Sequence, residues 1–344
     1  MIIDFEHHNS SHCETGTVLN LLNFYGVRLS EPMIFGIGAG LLFAYIPIAK
    51  GERSVPLLGF RLFPGVVKNN VFKKLGIKIG TKQYSKKQNE QAMQEMDELL
   101  AQGIPVCNRV GMYFLPYMPR EMREHWNIHH FCVIGKEGEL YTVSESLYGI
   151  KKISYEDLKK VRFSEGKYKP HGEMWWVKEM PETLPNLNKL IVDGIQRTCD
   201  NMLDYYGFPM VAYYGVRGIV KLSKYIRRLD AKTSDKAPAF LAKVIRFSEE
   251  LGTGGAGFRF TYSAFLFEAA DVMNKPKLKD FSIEMNNIGL LWRDFAVEGC
   301  RKLKNRSDVS YKNLADKLLS IAAAEKEFFL TLKKYIKKEC VYLK

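Results

Sequence analysis

The sequence predicts an α+β fold in the first half of the chain and an all-α fold in the second half. Helical and strand-like patterns are mixed over the first part, whereas only long helical patterns follow the proline-bounded segment 181–185. We therefore predict one domain over residues 1–183 and a second over residues 184–344. An apolar content of 46% in 344 residues is enough to fill two hydrophobic cores.

The first domain is predicted to begin with a helix and to end with an antiparallel sheet. Apolar residues recur at helical spacing from Cys13 to Tyr25, and the pattern repeats over residues 88–103. Two strand-like runs, 130–135 and 140–143, are separated by a polar connection that contains glycine, which predicts a hairpin. A short helix over 154–161 and a last strand over 174–177 complete this domain.

The second domain is predicted to be a bundle of helices. It has 28 basic and 18 acidic residues from position 186 onward, so it holds most of the net charge of +13. That charge indicates either an acidic partner or a solvated helix face. Nucleic acid is not expected, since the chain has no zinc-finger spacing, RNA-binding signature or basic heptad region. The predicted helices cover residues 187–206, 211–229, 236–251, 260–273, 279–304 and 309–338.

Cysteine usage and hydropathy predict a cytoplasmic protein. The six cysteines form no CxxC pair, so neither a disulfide framework nor a zinc ribbon is indicated. Residues 1–10 lack the profile of a secretory signal. The longest apolar stretch, 32–49, contains three glycines and two prolines, and we predict a buried core there rather than membrane insertion. We expect no bound metal, although His7, His8, His12 and Cys13 offer a weak alternative as ligands.

Cys13 is the candidate nucleophile. It opens the first helix, where unpaired backbone N–H groups and the positive end of the helix dipole favour a thiolate. The alternative is a small buried residue on an amphipathic helix. The same amide groups are suited to holding an oxyanion. His7, six residues earlier, and His12 are further candidate donors for that oxyanion.

The candidate base is His130, which precedes a strand far along the chain. In the papain-like arrangement, a histidine on such a strand is oriented by a residue on the next strand, and Glu145 has the matching position. His129 remains a rival, since adjacent strand residues point to opposite faces. We favour His130 because it would share a face with Cys132 and Ile134.

A glycine-rich segment at 252–257 matches GxGxxG but follows a helical pattern rather than a strand, so a dinucleotide site is not expected. Arg259 comes directly after these glycines and shares a helix side with Tyr262. This segment has two interpretations: Arg259 binds a phosphate, or the segment packs against other helices.

Two groups of residues resemble a known family. His12-Cys13-Glu-Thr-Gly, Leu29-Ser-Glu31 and 35–40 are similar to the N-terminal domain of butirosin biosynthesis protein H. The segment 252–270 and Trp292 are similar to the helical domain that commonly follows it. The resemblance implies a papain-like fold with Cys13 and His130 at the catalytic positions, and Glu145 where the family usually has aspartate.

The resemblance also implies acyl transfer. An acyl group would pass from the phosphopantetheine thioester of an acyl carrier protein, or of CoA, through Cys13 to a small amine acceptor, with no permanently bound cofactor. The residues expected to bind phosphopantetheine are Gly254, Gly255, Arg259, Tyr262 and Glu268. A cysteine hydrolase, either peptidase or amidase, and a non-catalytic scaffold are the alternatives.

Overall fold

The chain divides into two units in the computed structural model, which describes residues 2–47, 56–205, 212–229 and 236–339. The first unit contains the residues up to Ile34 and Lys68–Pro185, and the second contains Phe35–Val67 and the residues from Asn186 onward. The predicted domain boundary after residue 183 therefore lies close to the observed boundary after residue 185. The assignment of residues 35–67 differs from the prediction.

A six-stranded antiparallel sheet lies at the centre of the first unit. The strands are β3 (Lys78–Lys82), β4 (Val106–Val110), β5 (His129–Glu137), β6 (Leu140–Glu145), β7 (Gly149–Ser154) and β8 (Met174–Glu179). Their order in the sheet is β3-β8-β4-β5-β6-β7. The predicted hairpin is present as β5 and β6, and both strands are longer than the sequence indicated.

Helices cover this sheet. The helix α1 packs against β5 and β6, while α4 and α5 pack on the strands and enclose a core that includes Phe131, Val133 and Tyr141. Ser154 caps α5 by accepting a hydrogen bond from the Asp157 N–H. The helices that begin in this unit are α1 (Cys13–Phe24), α2 (Glu31–Ile37), α4 (Asn89–Ala101) and α5 (Tyr155–Arg162); α3 (Val66–Leu75) begins at the boundary of the units.

The second unit consists mainly of helices, which confirms the predicted fold class. All six predicted helices occur, although residue 211, where the second was predicted to begin, lies outside the described residues. They are α6 (Leu187–Leu203), α7 (Gly215–Arg227), α8 (Lys236–Glu249), α9 (Arg259–Val272), α10 (Lys277–Leu303) and α11 (Tyr311–Glu339). No described helix is long and apolar enough to cross a membrane.

A small sheet explains why residues 35–67 join the helical unit. The strand β1 (Leu41–Ile46) pairs with β2 (Leu57–Arg61) on one side and with β9 (Tyr213–Tyr214) on the other. Because β1 also packs against α6 and α7, its apolar residues are buried there. Within the apolar stretch 32–49, residues 33–45 are thus buried core, and residues 48–49 lie outside the described ranges.

A buried ion pair lies in the core of the second unit. The guanidinium of Arg259 donates to both carboxylate oxygens of Glu325, at 2.9 and 3.0 Å, and to the Gly257 carbonyl at 2.8 Å. Trp292 Nε1 donates to the same carboxylate at 2.7 Å. Both charged side chains are fully buried. The pair is therefore satisfied internally and links α9, α10 and α11.

Replacing Glu325 by glutamine is expected to destabilise the protein strongly, because the buried Arg259 charge loses its counterion. The loss should be about 3–5 kcal/mol in the free energy of unfolding. Asp280→Asn is the matched control, since Asp280 pairs with Lys277 on the exposed surface and should contribute less than about 1 kcal/mol. Chemical denaturation measures both, and equal effects would contradict a structural role for the buried pair.

Candidate active site

Cys13 is the first residue of α1, and its side chain is partly exposed. The preceding His12 is the helix N-cap, and its Nδ1 accepts a hydrogen bond from the Thr15 N–H at 3.4 Å. A backbone N–H at the first helical position has no acceptor within its own helix. The thiol therefore lies beside an available donor and at the positive end of the helix dipole.

Glu31, the first residue of α2, holds the turn that leads into Cys13. One carboxylate oxygen accepts from the Ser11 N–H at 2.8 Å, and the other accepts from the His12 N–H at 2.9 Å. The Thr15 hydroxyl donates to the latter oxygen at 2.9 Å. The Glu31 side chain thus fixes three residues before and within the first turn of α1, which explains the place of Glu31 in the sequence pattern.

Gly16 lets α1 approach the end of β6 closely. A Cβ atom at this position would lie 2.6 Å from the Ser10 Cβ and 2.7 Å from the Ser146 Cβ. The Ser146 hydroxyl donates to the Cys13 carbonyl at 3.5 Å, and the Ser146 carbonyl accepts from the Ser10 N–H at 2.8 Å. This contact brings the first turn of α1 next to the residue that follows Glu145.

His129 and Glu145 form the charged pair beside Cys13. His129 Nε2 lies 2.8 Å from Glu145 Oε2, and both side chains are buried. Cys13 lies near the same imidazole, where its charge and hydrogen bonding contribute to raising the pKa of His129. Since Nε2 is engaged with Glu145, Nδ1 is the nitrogen left for the thiol. The three side chains therefore form a chain from sulfur through imidazole to carboxylate.

The electrostatics of this group favour a protonated imidazole. Burial by itself would lower the pKa of His129, but the charges of Glu145 and Cys13, with hydrogen bonds to both, raise it well above its ordinary value. Burial likewise opposes ionisation of Glu145, yet the His129 charge and three hydrogen bonds lower the pKa of that carboxyl. His129 is consequently the cation and Glu145 the anion at neutral pH.

The prediction of His130 as the base is wrong, because the side chain that faces Glu145 and Cys13 is that of His129. His129 faces Glu145 and the thiol, and His130 points to the opposite side of β5, because side chains alternate along a strand. His130 lies in register with Arg109 of β4 and is fully buried. The rival assignment to His129 is the one that the structure supports, and the predicted position of Glu145 holds for that histidine.

The two candidate side-chain donors for an oxyanion have other partners. His7 Nδ1 lies 2.7 Å from the Ser144 hydroxyl, and its Nε2 lies 3.0 Å from Asn9 Oδ1. Both ring nitrogens of His7 are thus engaged, so neither is left for an oxyanion at Cys13. His12 uses Nδ1 to cap α1. The backbone N–H of Cys13 lies at the first helical position, where it has no acceptor within the helix.

The glycine-rich segment is a strained turn whose amides have protein acceptors. All five residues of 254–258 have positive φ, between 49° and 86°, which explains the glycines. The Gly255 N–H donates to the Thr253 hydroxyl at 3.2 Å, and the Ala256 N–H donates to a Glu249 carboxylate oxygen at 3.2 Å. A carboxylate of the protein itself therefore occupies part of the place predicted for a phosphate.

The predicted phosphopantetheine contacts of Arg259 and Tyr262 are corrected by their burial. Arg259 is paired with Glu325 in the core, so its guanidinium is already neutralised. Tyr262 is fully buried, and burial with the nearby Cys199 raises the pKa of its phenol well above the ordinary value. Helix packing, the other reading of this segment, is the correct one. Among the five residues predicted to bind phosphopantetheine, only Gly254 is exposed, and Glu268 is half-buried.

Sequence reasoning missed Tyr117, which lies in the loop between β4 and β5. Its hydroxyl donates to Glu145 Oε2 at 3.1 Å, and the Leu147 N–H donates to Glu145 Oε1 at 3.3 Å. No sequence spacing indicates such a contact, because an aromatic residue in a loop has many possible positions. Within the described ranges, no three His, Cys, Asp or Glu side chains converge as metal ligands.

Two family models match separate parts of the chain. A family model described as "Butirosin biosynthesis protein H, N-terminal" matches residues 12–146, which include Cys13, His129 and Glu145. A second model, "Domain of unknown function (DUF4872)", matches residues 156–332, more than half of the chain. No curated protein matches the sequence.

One similar solved structure is a crystal structure from Bacillus anthracis, described as that of a "putative C39-like peptidase". It has 13% sequence identity and a TM-score of 0.35, and the match covers 52% of this chain and 98% of that one. The two family models cover both the strands that carry the charged pair and the helices that follow them. The chain thus contains a butirosin biosynthesis protein H N-terminal domain and belongs to the DUF4872 family.

Proposed function

We propose that the protein is a cysteine-dependent acyltransferase. It takes an acyl group from a phosphopantetheine thioester, on a carrier protein or on CoA, and transfers it to an amine. The observation that carries this proposal is the hydrogen-bonded group Cys13, His129 and Glu145 at the N-terminus of α1. Such a group is suited to forming and resolving a thioester on the enzyme.

In the proposed mechanism, the reactive form of the site is an ion pair. Because His129 is protonated at neutral pH, its Nδ1–H stabilises the Cys13 sulfur as a thiolate, and Glu145 stabilises the imidazolium through Nε2. The thiolate is the nucleophilic form of cysteine. The Cys13 residue is partly exposed, as a nucleophile for an external substrate must be.

In the first half-reaction, the Cys13 thiolate attacks the carbonyl carbon of the donor thioester. The negative charge on the carbonyl oxygen is stabilised by the Cys13 N–H and the helix dipole. When this intermediate collapses, the bond to the pantetheine sulfur breaks, and the leaving thiolate takes the Nδ1 proton of His129. The products are an acyl-Cys13 thioester, a free pantetheine thiol and a neutral His129.

In the second half-reaction, a neutral amine attacks the acyl-Cys13 carbonyl. His129 Nδ1 accepts the proton that the amine loses as the C–N bond forms. The Cys13–acyl bond breaks, the amide leaves, and the thiolate and imidazolium are restored. The name of the N-terminal family, butirosin biosynthesis protein H, indicates a biosynthetic role, which favours this transfer over hydrolysis. The basic second half of the chain is compatible with an acidic carrier protein.

Acyl-pantetheine thioesters of several chain types are expected to acylate Cys13, and intact-mass spectrometry detects the adduct. The adduct should be absent in Cys13→Ala and present in Cys300→Ala, a matched control because Cys300 is also free and partly exposed. A panel of amines should then release the acyl group faster than buffer alone. Equal release with and without amines would favour a hydrolase, and no adduct from any donor would contradict the proposal.

Separate alanine substitutions at His129 and His130 distinguish the two candidate bases. His129→Ala is expected to slow adduct formation by about 100-fold or more, because it removes the proton donor and the cation. His130→Ala should retain most of the rate, and its thermal unfolding shows whether this buried position is needed for the fold. If a folded His130→Ala variant lost more of the acylation rate than His129→Ala, His130 would be the base.

Glu145→Gln is expected to change the pH dependence of Cys13 alkylation. Without the carboxylate charge, burial lowers the pKa of His129, so the imidazolium is lost at a lower pH and no longer supports the thiolate. The midpoint of the iodoacetamide reaction, followed at Cys13 by peptide mapping, should therefore move to higher pH. The same midpoint in wild type and variant would show that Glu145 does not act on the pair.

A further inference from the structure

We infer that Tyr117 is a positioning residue that fixes the Glu145 carboxylate for its contact with His129. This inference rests on the proposed nucleophilic role of Cys13. The Tyr117 hydroxyl lies 3.1 Å from Glu145 Oε2, the same oxygen that lies 2.8 Å from His129 Nε2. The site thus extends by a fourth member, from sulfur to imidazole to carboxylate to phenol.

The hydrogen bonds of Glu145 leave its carboxylate little freedom to rotate. Oε2 accepts from both His129 and Tyr117, and Oε1 accepts from the Leu147 N–H at 3.3 Å. A carboxylate held at both oxygens has one orientation for its lone pairs. Since His129 receives its orientation from this carboxylate, the direction of the imidazole toward Cys13 depends on these bonds too.

The loop that carries Tyr117 is anchored on both sides of this residue. Leu115 and Met118 are buried in the core of the first unit. The Arg123 guanidinium donates to the Met118 carbonyl at 3.0 Å and to the Pro116 carbonyl at 3.4 Å. One side chain therefore holds the carbonyl groups that flank Tyr117. Packing and hydrogen bonds on both sides of Tyr117 therefore fix the loop, and they hold the hydroxyl in place for its contact with Glu145.

The protonation states suit this role. Burial and the Glu145 charge raise the pKa of Tyr117 well above its ordinary value, so the phenol keeps its proton and donates it. The bond from Tyr117 is in turn one of the contacts that lower the pKa of Glu145 against its burial. A phenol that cannot ionise at working pH is a fixed donor, and it helps to keep a buried carboxylate charged beside the imidazolium.

Tyr117→Phe is the variant that tests the inference, because it removes only the hydroxyl. The alkylation rate of Cys13 at neutral pH is expected to fall about tenfold, the usual effect of losing a hydrogen bond to a charged group. The acid-side midpoint of the rate should move to higher pH, since Glu145 becomes easier to protonate. Loss of packing alone would not move this midpoint.

Tyr148→Phe is the matched control. Tyr148 also lies close enough for the Glu145 charge to raise the pKa of its phenol, after burial, and its ring centroid is 6.4 Å from that of Tyr117. Yet the hydrogen bonds recorded for the Glu145 side chain within the described ranges come from His129, Tyr117 and Leu147. In the Tyr148→Phe variant, the pH dependence of Cys13 alkylation should match that of wild type. An equal shift in both variants would overturn the inference.

A double-mutant cycle covers the case in which Tyr117→Phe weakens the fold. If Tyr117 acts through Glu145, the hydroxyl deletion should have little further effect on the rate in a Glu145→Gln background. An unchanged tenfold loss in that background would overturn the inference. Wild-type Cys13 that reacts no faster than Cys300 would instead refute the proposed function, whereas a reactive Cys13 with an unaffected Tyr117→Phe variant would refute only the role of Tyr117.

Discussion

The hydrogen bond between His129 and Glu145 is the interaction on which the rest of the site depends. Each side chain is buried, and burial alone would favour its neutral form. Only together, and with the Cys13 thiol as third partner, do they remain a cation and an anion. The surrounding structure meets this requirement: Gly16 lets α1 approach β6, and Glu31 fixes the turn before the thiol.

Much of the fold could be predicted from local patterns. Helical periodicity located α1, α4 and the six helices of the second unit, and the glycine-containing polar connection located the hairpin that carries the charged pair. Cys13 at the start of a helix and Glu145 at the end of a strand followed from the same patterns. These features depend on sequence neighbours, so a single sequence is sufficient to find them.

The remaining features depend on contacts between distant residues. The first seven residues of β5 are all buried, so both of its faces are covered and no polar alternation tells which histidine faces the thiol. Arg259 follows a glycine-rich turn as a phosphate ligand would, but its partner Glu325 is 66 residues away. Residues 35–67 join the second unit because β1 pairs with β9, a strand of two residues that propensity does not reveal.

The protonation state of His129 tests the account most directly. Nitrogen-15 NMR of histidine-labelled protein, assigned with His129→Ala, reports whether each ring nitrogen carries a proton. Wild-type His129 is expected to be protonated at both nitrogens at neutral pH, and Cys13→Ala is expected to lower the pH at which one proton is lost, because the thiolate charge is removed. A wild-type His129 with a single protonated nitrogen at neutral pH, unaffected by Cys13→Ala, would contradict the thiolate–imidazolium pair.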